Sequence, residues 1–408
     1  MPANAIAPRL LWVAACTITV PAFAQAVSDR SPLDTVPGQS ELDFQNEVPG
    51  FRAGAFNMHA SAGTSLAYDS NVLAQPGPRT GKVLSIDEAQ MHATNDMDEA
   101  ALDFQSFARA RRFIDDHELD TTEFGGAVGI AAPVGAQDDL TGSVRSQRRF
   151  EPHTDIETPS SLPVSVYDDT RAELAYTHVL NRLTLRGAAS GEWLDYHDPS
   201  QHFRDLATNR DELRGEYTLD NDLSAVVTAY YGRDDFSHSS PYIASATTRG
   251  VLVGSHLSVP EVVDFELTAG YFERLYAGNL GRSSGVTVRG SLIWQPTRLM
   301  TVRGAVTRED EPTRIPGAFG KARTDATLEV DHAYSTNLSL YARGELVVDD
   351  FNFIQRVDNT RLGEVGLTFL IARPYILKLA YGFGSRSSDA PGVSYVRHVA
   401  SISLIGRL

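Results

Sequence analysis

The stretch Leu338-Ser339-Leu340-Tyr341-Ala342-Arg343-Gly344-Glu345-Leu346-Val347-Val348-Asp349 alternates along most of its length. Leu338, Leu340, Ala342, Gly344, Leu346 and Val348 take one face, and Ser339, Tyr341, Arg343, Glu345 and Asp349 take the other. Successive side chains of a strand point to opposite sides, so this segment has one apolar and one charged face. Outward from it the same period recurs. Val286, Val288, Gly290, Leu292 and Trp294 alternate with Thr287, Arg289 and Ser291, and Leu213, Gly215, Tyr217 and Leu219 alternate with Glu212, Arg214, Glu216 and Thr218. Leu102, Phe104, Ala108 and Ala110 oppose Asp103, Gln105, Arg109 and Arg111.

The connections alternate too. Short turns such as Asn181-Arg182, Asp220-Asn221-Asp222 and Arg373-Pro374 are interleaved with longer polar loops such as 152–164, 197–203 and 311–318. Short turns at one end and long loops at the other are the layout of an outer-membrane barrel. Eighteen segments are counted, from 52–68 to 394–407, an even number that puts both chain ends on the short-turn side. The second to fourth segments are the least regular, which leaves sixteen as the alternative count. A soluble sandwich or propeller has no reason to alternate its connections in this way. The expected fold is therefore all-β: a transmembrane antiparallel up-and-down β-barrel spanning 52–408.

Composition narrows the rest. The chain has 408 residues, 42% of them hydrophobic, a formal net charge of -16 and a single cysteine, Cys16. The acidity argues against nucleic acid, and one cysteine allows no disulfide framework. Beyond the N-terminus no apolar run is long enough for a transmembrane helix. Arg9, the apolar stretch Leu10 to Val20 and Ala22-Phe23-Ala24 form a signal peptide over 1–24 with cleavage before Gln25. The rival reading takes Val13-Ala14-Ala15-Cys16 as a lipobox, with a short apolar core. Residues 25–51, acidic and broken by Pro32, Pro37 and Pro49, read as an extended periplasmic arm.

Two stretches resemble a known family. Gly63-Thr64-Ser65-Leu66-Ala67-Tyr68-Asp69-Ser70-Asn71-Val72 is similar to the first strand of the type 2 outer-membrane β-barrel porins, which open on an aromatic-Asp-Ser-Asn segment. Tyr381-Gly382-Phe383-Gly384-Ser385-Arg386-Ser387-Ser388 and Tyr395-Val396-Arg397-His398 resemble their closing hairpin. One departure is the end: such barrels finish on an aromatic residue, whereas this chain finishes on Leu408, still on the apolar face. The resemblance implies an outer-membrane barrel, often associated with exopolysaccharide gene clusters, with no catalytic residues described.

No residue pattern points to an enzyme. His-Glu-x-x-His and a phosphate-binding Gly loop are both lacking. Asp69-Ser70-Asn71 reads as turn chemistry, and Asp115-Asp116-His117-Glu118 as a solvated loop tip, too few ligands for a hard cation. Neither a metal nor a cofactor is expected. Tyr167, Tyr196, Tyr231, Tyr271 and Tyr276 read as an aromatic girdle, with stacking on sugar rings as the sharper alternative. The alternation turns Arg109, Arg111, Arg145, Arg186, Arg214, Arg289, Arg303 and Arg343 inward, together with Asp103, Glu173, Glu212, Glu216, Glu329, Glu345 and Glu364. An Arg facing lipid near the midplane would cost roughly 2 to 4 kcal/mol, so the lumen is the tolerable side.

Two functions fit such a wall. One is a conduit for polar or sugar solutes or for an exported exopolysaccharide, with outer-membrane lipid and periplasmic export components as partners. The other is a closed anchoring or adhesive barrel.

Overall fold

The computed structural model describes residues 50–96, 100–158, 164–237 and 243–408. The proposed leader and nearly all of the proposed arm lie outside the described residues. One antiparallel sheet contains every described strand and closes on itself. In chain order these are β1 (Phe51–Ala53), β2 (Phe56–Asp69), β3 (Lys82–Asp96), β4 (Ala101–Phe113), β5 (Thr121–Pro133) and β6 (Asp138–Glu151). Then come β7 (Ser165–Leu180), β8 (Leu183–Tyr196), β9 (Leu206–Thr218), β10 (Leu223–Phe236), β11 (Ala246–Val259) and β12 (Val263–Tyr276). The last are β13 (Arg282–Thr297), β14 (Met300–Glu311), β15 (Gly320–Ser335), β16 (Leu338–Asn352), β17 (Val357–Ala372), β18 (Tyr375–Ser388) and β19 (Tyr395–Arg407).

Strands β2 to β19 form an 18-stranded barrel, each paired with its sequence neighbour, and β19 pairs with β2 from Val399↔Asp69 to Arg407↔Ser61. The count is thus eighteen rather than sixteen. The first segment needs one correction. The expected strand 52–68 is interrupted, because Gly54 takes a left-handed φ of 64°. The chain turns there and lays Phe51 against Met58 as a short hairpin. Gly has no Cβ to resist that conformation.

The seam is pinned by side chains as well as by the ladder. Arg397 Nη2 lies 2.6 Å from Asp69 Oδ2, and Ser65 Oγ donates to Ser403 Oγ at 2.8 Å. Asn71 Nδ2 donates to the Val396 carbonyl at 3.0 Å, and the His398 amide donates to Ser70 Oγ at 2.8 Å. The Asn71 amide in turn donates to Asp69 Oδ1 at 2.9 Å, the local turn bond expected of an Asp-Ser-Asn run.

Directly paired residues of a ladder share a face, and the outer face carries the exposed apolar side chains: Leu66, Val128, Leu174, Leu213, Val253, Tyr271, Leu328, Leu346 and Val365. The inner face holds the buried charges. The regular wall parts at two ladders. The β5–β6 ladder ends at Phe124↔Arg148 although β6 continues to Glu151, and the β13–β14 ladder ends at Val288↔Arg308 although β14 continues to Glu311. Above these points β6 stays paired with β7 to Glu151↔Ser165, and β14 with β15 to Glu311↔Lys321. On their other sides β7 stays joined to β8 up to Tyr167↔Tyr196 and β15 to β16 up to Gly320↔Asn352, so the wall parts between β5 and β6 and between β13 and β14 while each hairpin keeps its other neighbour. Inward displacement is recorded by Asp310, whose Oδ2 lies 3.2 Å from Nε of the inward-facing, 1% exposed Arg274 of β12.

Two outcomes test this arrangement. Leu267 lies midway along the apolar outer face of β12, so Leu267→Arg should destabilise the barrel by about 2–4 kcal/mol in bilayer unfolding measurements; Arg343→Ala, on the inner face, should leave the folded yield unchanged. A protease site at Gly278 in the long-loop end should be cleaved on intact cells. One at Asn181 in a short turn should not.

Candidate functional site

The segments above the two parted ladders meet across the mouth. Their strands β6 and β15 stand nine apart in an 18-stranded barrel, so contact between them spans its full width. From the β6–β7 side comes the segment 152–158, with Thr154, Ile156 and Glu157 buried. Glu157 accepts from Arg314 Nε at 2.6 Å and from the Arg314 amide at 3.1 Å, both in the β14–β15 connection, and from Lys321 Nζ of β15 at 3.1 Å. Ile156 packs on Ala318 and Phe351, with Ile315 and Ile354 beside them. Arg386 of β18 donates to the Thr154 carbonyl at 2.6 Å, and Arg356 to the Ile156 carbonyl at 3.4 Å. We call this assembly the clasp.

Its base is a second buried group. Arg204 Nη1 lies 2.8 Å from Glu151 Oε2, Tyr196 Oη donates to Glu151 Oε1 at 2.6 Å, and Arg314 donates to the Tyr196 hydroxyl. Tyr167 stacks on Tyr196 with ring centroids 5.5 Å apart. This corrects the aromatic reading. Tyr231 and Tyr271 are exposed on the outer face, but Tyr167, Tyr196 and Tyr276 serve the interior, where an even-odd count places them and a girdle cannot. The loop 152–164, read from sequence as a plain polar loop, is likewise drawn inside where it is described.

Below the clasp the inner wall holds ion pairs. Arg210 of β9 donates to Glu309 of β14 at 3.0 Å, and Arg289 of β13 reaches Glu212 of β9 at 2.8 Å and Glu309 at 2.5 Å. Strands four and five apart can touch only through the interior, so these bonds cross part of the lumen. Arg210 and Arg289 both lie over the Tyr230 ring, at 4.2 and 5.4 Å. Arg214 binds Glu266 through two bonds of 2.7 Å and Glu216 at 2.9 Å, and His256 joins Glu216 at 2.8 Å.

The other residues singled out from sequence fall into separate groups. Arg109 pairs with Glu88 at 2.5 Å; Arg111 lies 3.2 Å from Glu123, which Arg149 also approaches at 4.0 Å. Arg145 stands 3.5 Å from Asp169, Arg186 3.2 Å from Glu173, and Asp103 binds His92 at 2.5 Å. Arg303 and Arg343 share Glu329 at 3.5 and 3.6 Å, and Glu364 accepts from the Tyr341 hydroxyl at 2.8 Å. Glu345 is buried on β16. In the loop tip, Asp116 pairs with Lys82 at 3.2 Å and His117 with Asp120 at 3.2 Å. Among the described residues no cluster of His, Cys, Asp and Glu is arranged to hold a metal ion.

A family model described as "Putative beta-barrel porin 2" matches residues 46–407. The chain belongs to this porin family. The comparison with curated protein sequences returns no match. Among solved structures the porin is similar to the outer membrane protein OpdK from Pseudomonas aeruginosa, at 10% identity and a TM-score of 0.46 over 86% of this chain and 99% of that one. It is similar to OccAB3 from Acinetobacter baumannii at 10% identity and a TM-score of 0.46, over 87% of this chain and all of that one. The FrpB iron transporter from Neisseria meningitidis matches at 8% identity and a TM-score of 0.44; the porin covers 62% of its length. The family-like stretches around Asp69 and Arg397 are the two sides of the seam.

The clasp carries its own pH signature. Burial alone would raise the Glu157 carboxyl, but Lys321 and Arg314 outweigh it and hold the group well below the usual carboxylate range. A depressed carboxylate stabilises the closed arrangement above its unfolded value, near 4.3, and that support is lost only as pH falls through the lower folded value. Reconstituted channels should therefore show the same conductance at pH 7 and pH 5. Glu157→Ala leaves Arg314 and Lys321 without their shared carboxylate, a loss of about 3–5 kcal/mol for a buried pair, and should raise conductance at both pH values in planar-bilayer recordings.

Proposed function

We propose that this porin is a restricted passive conduit for polar, sugar-sized solutes across the outer membrane. One observation carries the reading: the interior is lined by ion pairs of both signs, including a group that joins β9 to β13 and β14, while stretches of β2, β5 and β19 carry small side chains. Ser61, Gly63 and Ser65 of β2, Ala127 and Gly129 of β5, and Ser401 and Ser403 of β19 share the face of Asp69, Arg145 and Arg397. Small residues leave cross-section there. Paired charges keep the lumen wet without giving it a strong single-sign field, which suits hydroxyl-rich neutral solutes over ions of one charge.

Export of an exopolysaccharide chain with periplasmic components remains the wider form of this reading. It requires the clasp to stay open for the length of a polymer. A closed anchoring barrel is the second reading, favoured by the buried bonds that join opposite walls at the mouth.

Liposome swelling separates the readings. Monosaccharides should enter proteoliposomes, longer oligosaccharides should be excluded, and the double variant Glu157→Ala/Arg314→Ala should move the size limit upward. Exclusion of every sugar by both proteins would leave the anchoring barrel as the better account. Loss of extracellular polymer on deletion, with intracellular precursors still present, would instead support export.

A further inference from the structure

We propose that the outer face of β10–β13 binds the phosphate of a phosphorylated glycolipid in the outer leaflet. On β12 the outward positions Val263, Phe265, Leu267, Ala269 and Tyr271 form an apolar band nine residues long, enough for a tilted strand to cross hydrocarbon. The ladder pairs Tyr231 with Arg249 and Arg249 with Glu273, placing the first charged row immediately above that band on the long-loop side. Arg233 pairs with Thr247, Thr247 with Leu275, and Leu275 with Arg282, which makes the next row. Three guanidiniums thus stand on one small patch of four adjacent strands.

They are organised but not used up. Glu273 binds Arg249 at 2.5 Å and Arg282 at 3.2 Å, one carboxylate holding two guanidiniums, and Asp235 holds Arg233 at 2.6 Å. On these four strands three cations face two anions, with Asp211 of β9 beside Tyr231 at the edge of the patch. Their side chains are still 69%, 72% and 60% exposed for Arg249, Arg282 and Arg233, so donors remain open to a ligand. Guanidinium groups match phosphate oxygens in geometry and charge, and basic clusters at a membrane surface recognise anionic lipid headgroups. Tyr231 stands level with Arg249, and directly below lie Val251, Tyr271 and Val286, all exposed, where acyl chains would run. Free phosphate would gain nothing from that apolar floor, which is why the occupant is a lipid. The outer-face group Arg148, Asp168 and His197, elsewhere on the wall, has one guanidinium for one carboxylate and serves as the control.

The test is binding of diphosphoryl lipid A, supplied in mixed micelles, to the detergent-purified full chain, read by native mass spectrometry. Wild type and Arg148→Gln should retain the lipid equally, and Arg249→Gln/Arg282→Gln should bind it at least tenfold more weakly while still showing the heat-modifiable gel mobility of a folded barrel. Equal retention by the double variant overturns the proposal. Should that variant not fold, the wild-type protein decides: dephosphorylated lipid A should bind at least tenfold more weakly than the diphosphoryl form, and equal binding overturns the proposal.

Discussion

A chain crossing hydrocarbon has no water to satisfy its peptide groups, so every N–H and C=O must find a partner within the protein. For strands this means a sheet without edges, and the rest of the molecule follows from closing it. Eighteen strands pair in sequence order, and the last must find the first across more than 330 residues of chain. Register at that junction is set by Arg397 on Asp69, Ser65 on Ser403 and Asn71 on the Val396 carbonyl. A slip of one residue would carry Arg397 to the lipid face.

Closing the wall creates an interior, and the interior must be filled or wetted. Large side chains and ion pairs occupy the β9–β14 side. Arg289, Glu212, Glu309 and Arg210 join strands far apart, with Tyr230 beneath the guanidiniums. Such charges are tolerated inside because each is met by an opposite charge, and on the outer face they would meet hydrocarbon. The clasp solves a different problem. Where the ladders part between β5 and β6 and between β13 and β14, the connections lean inward, and Glu157 meets Arg314 and Lys321 where Ile156 covers Ala318 and Phe351. Polar and apolar contacts fall together, which makes the bridge across the mouth a packed structure.

The outside of the barrel carries information of its own. Its apolar band ends abruptly at Arg249 and Glu273, one row above Tyr271. The boundary between hydrocarbon and headgroup is written in that single step of the ladder. The patch of Arg233, Arg249 and Arg282 stands at the boundary, where solvent and lipid headgroups both reach it.

Strand alternation is local, because neighbouring side chains of an extended chain must point opposite ways. The barrel, its eighteen strands, the facing of Leu340 against Arg343 and the inward turn of Arg214 and Arg289 were therefore legible in the sequence alone. Partner choice is not local. That Arg289 meets Glu212 and Glu309, that Arg210 joins them, and that Asp69 closes on Arg397 depend on strand tilt and closure, which place residues far apart in sequence within 3 Å. The same parity that marked Arg214 also marked Arg210, Glu123 and Glu309, so these lay within reach of sequence reasoning. Glu157 and Arg314 did not. They sit in irregular loops without a period, and only the three-dimensional meeting of segments rooted nine strands apart turned a polar loop into a bridge across the mouth.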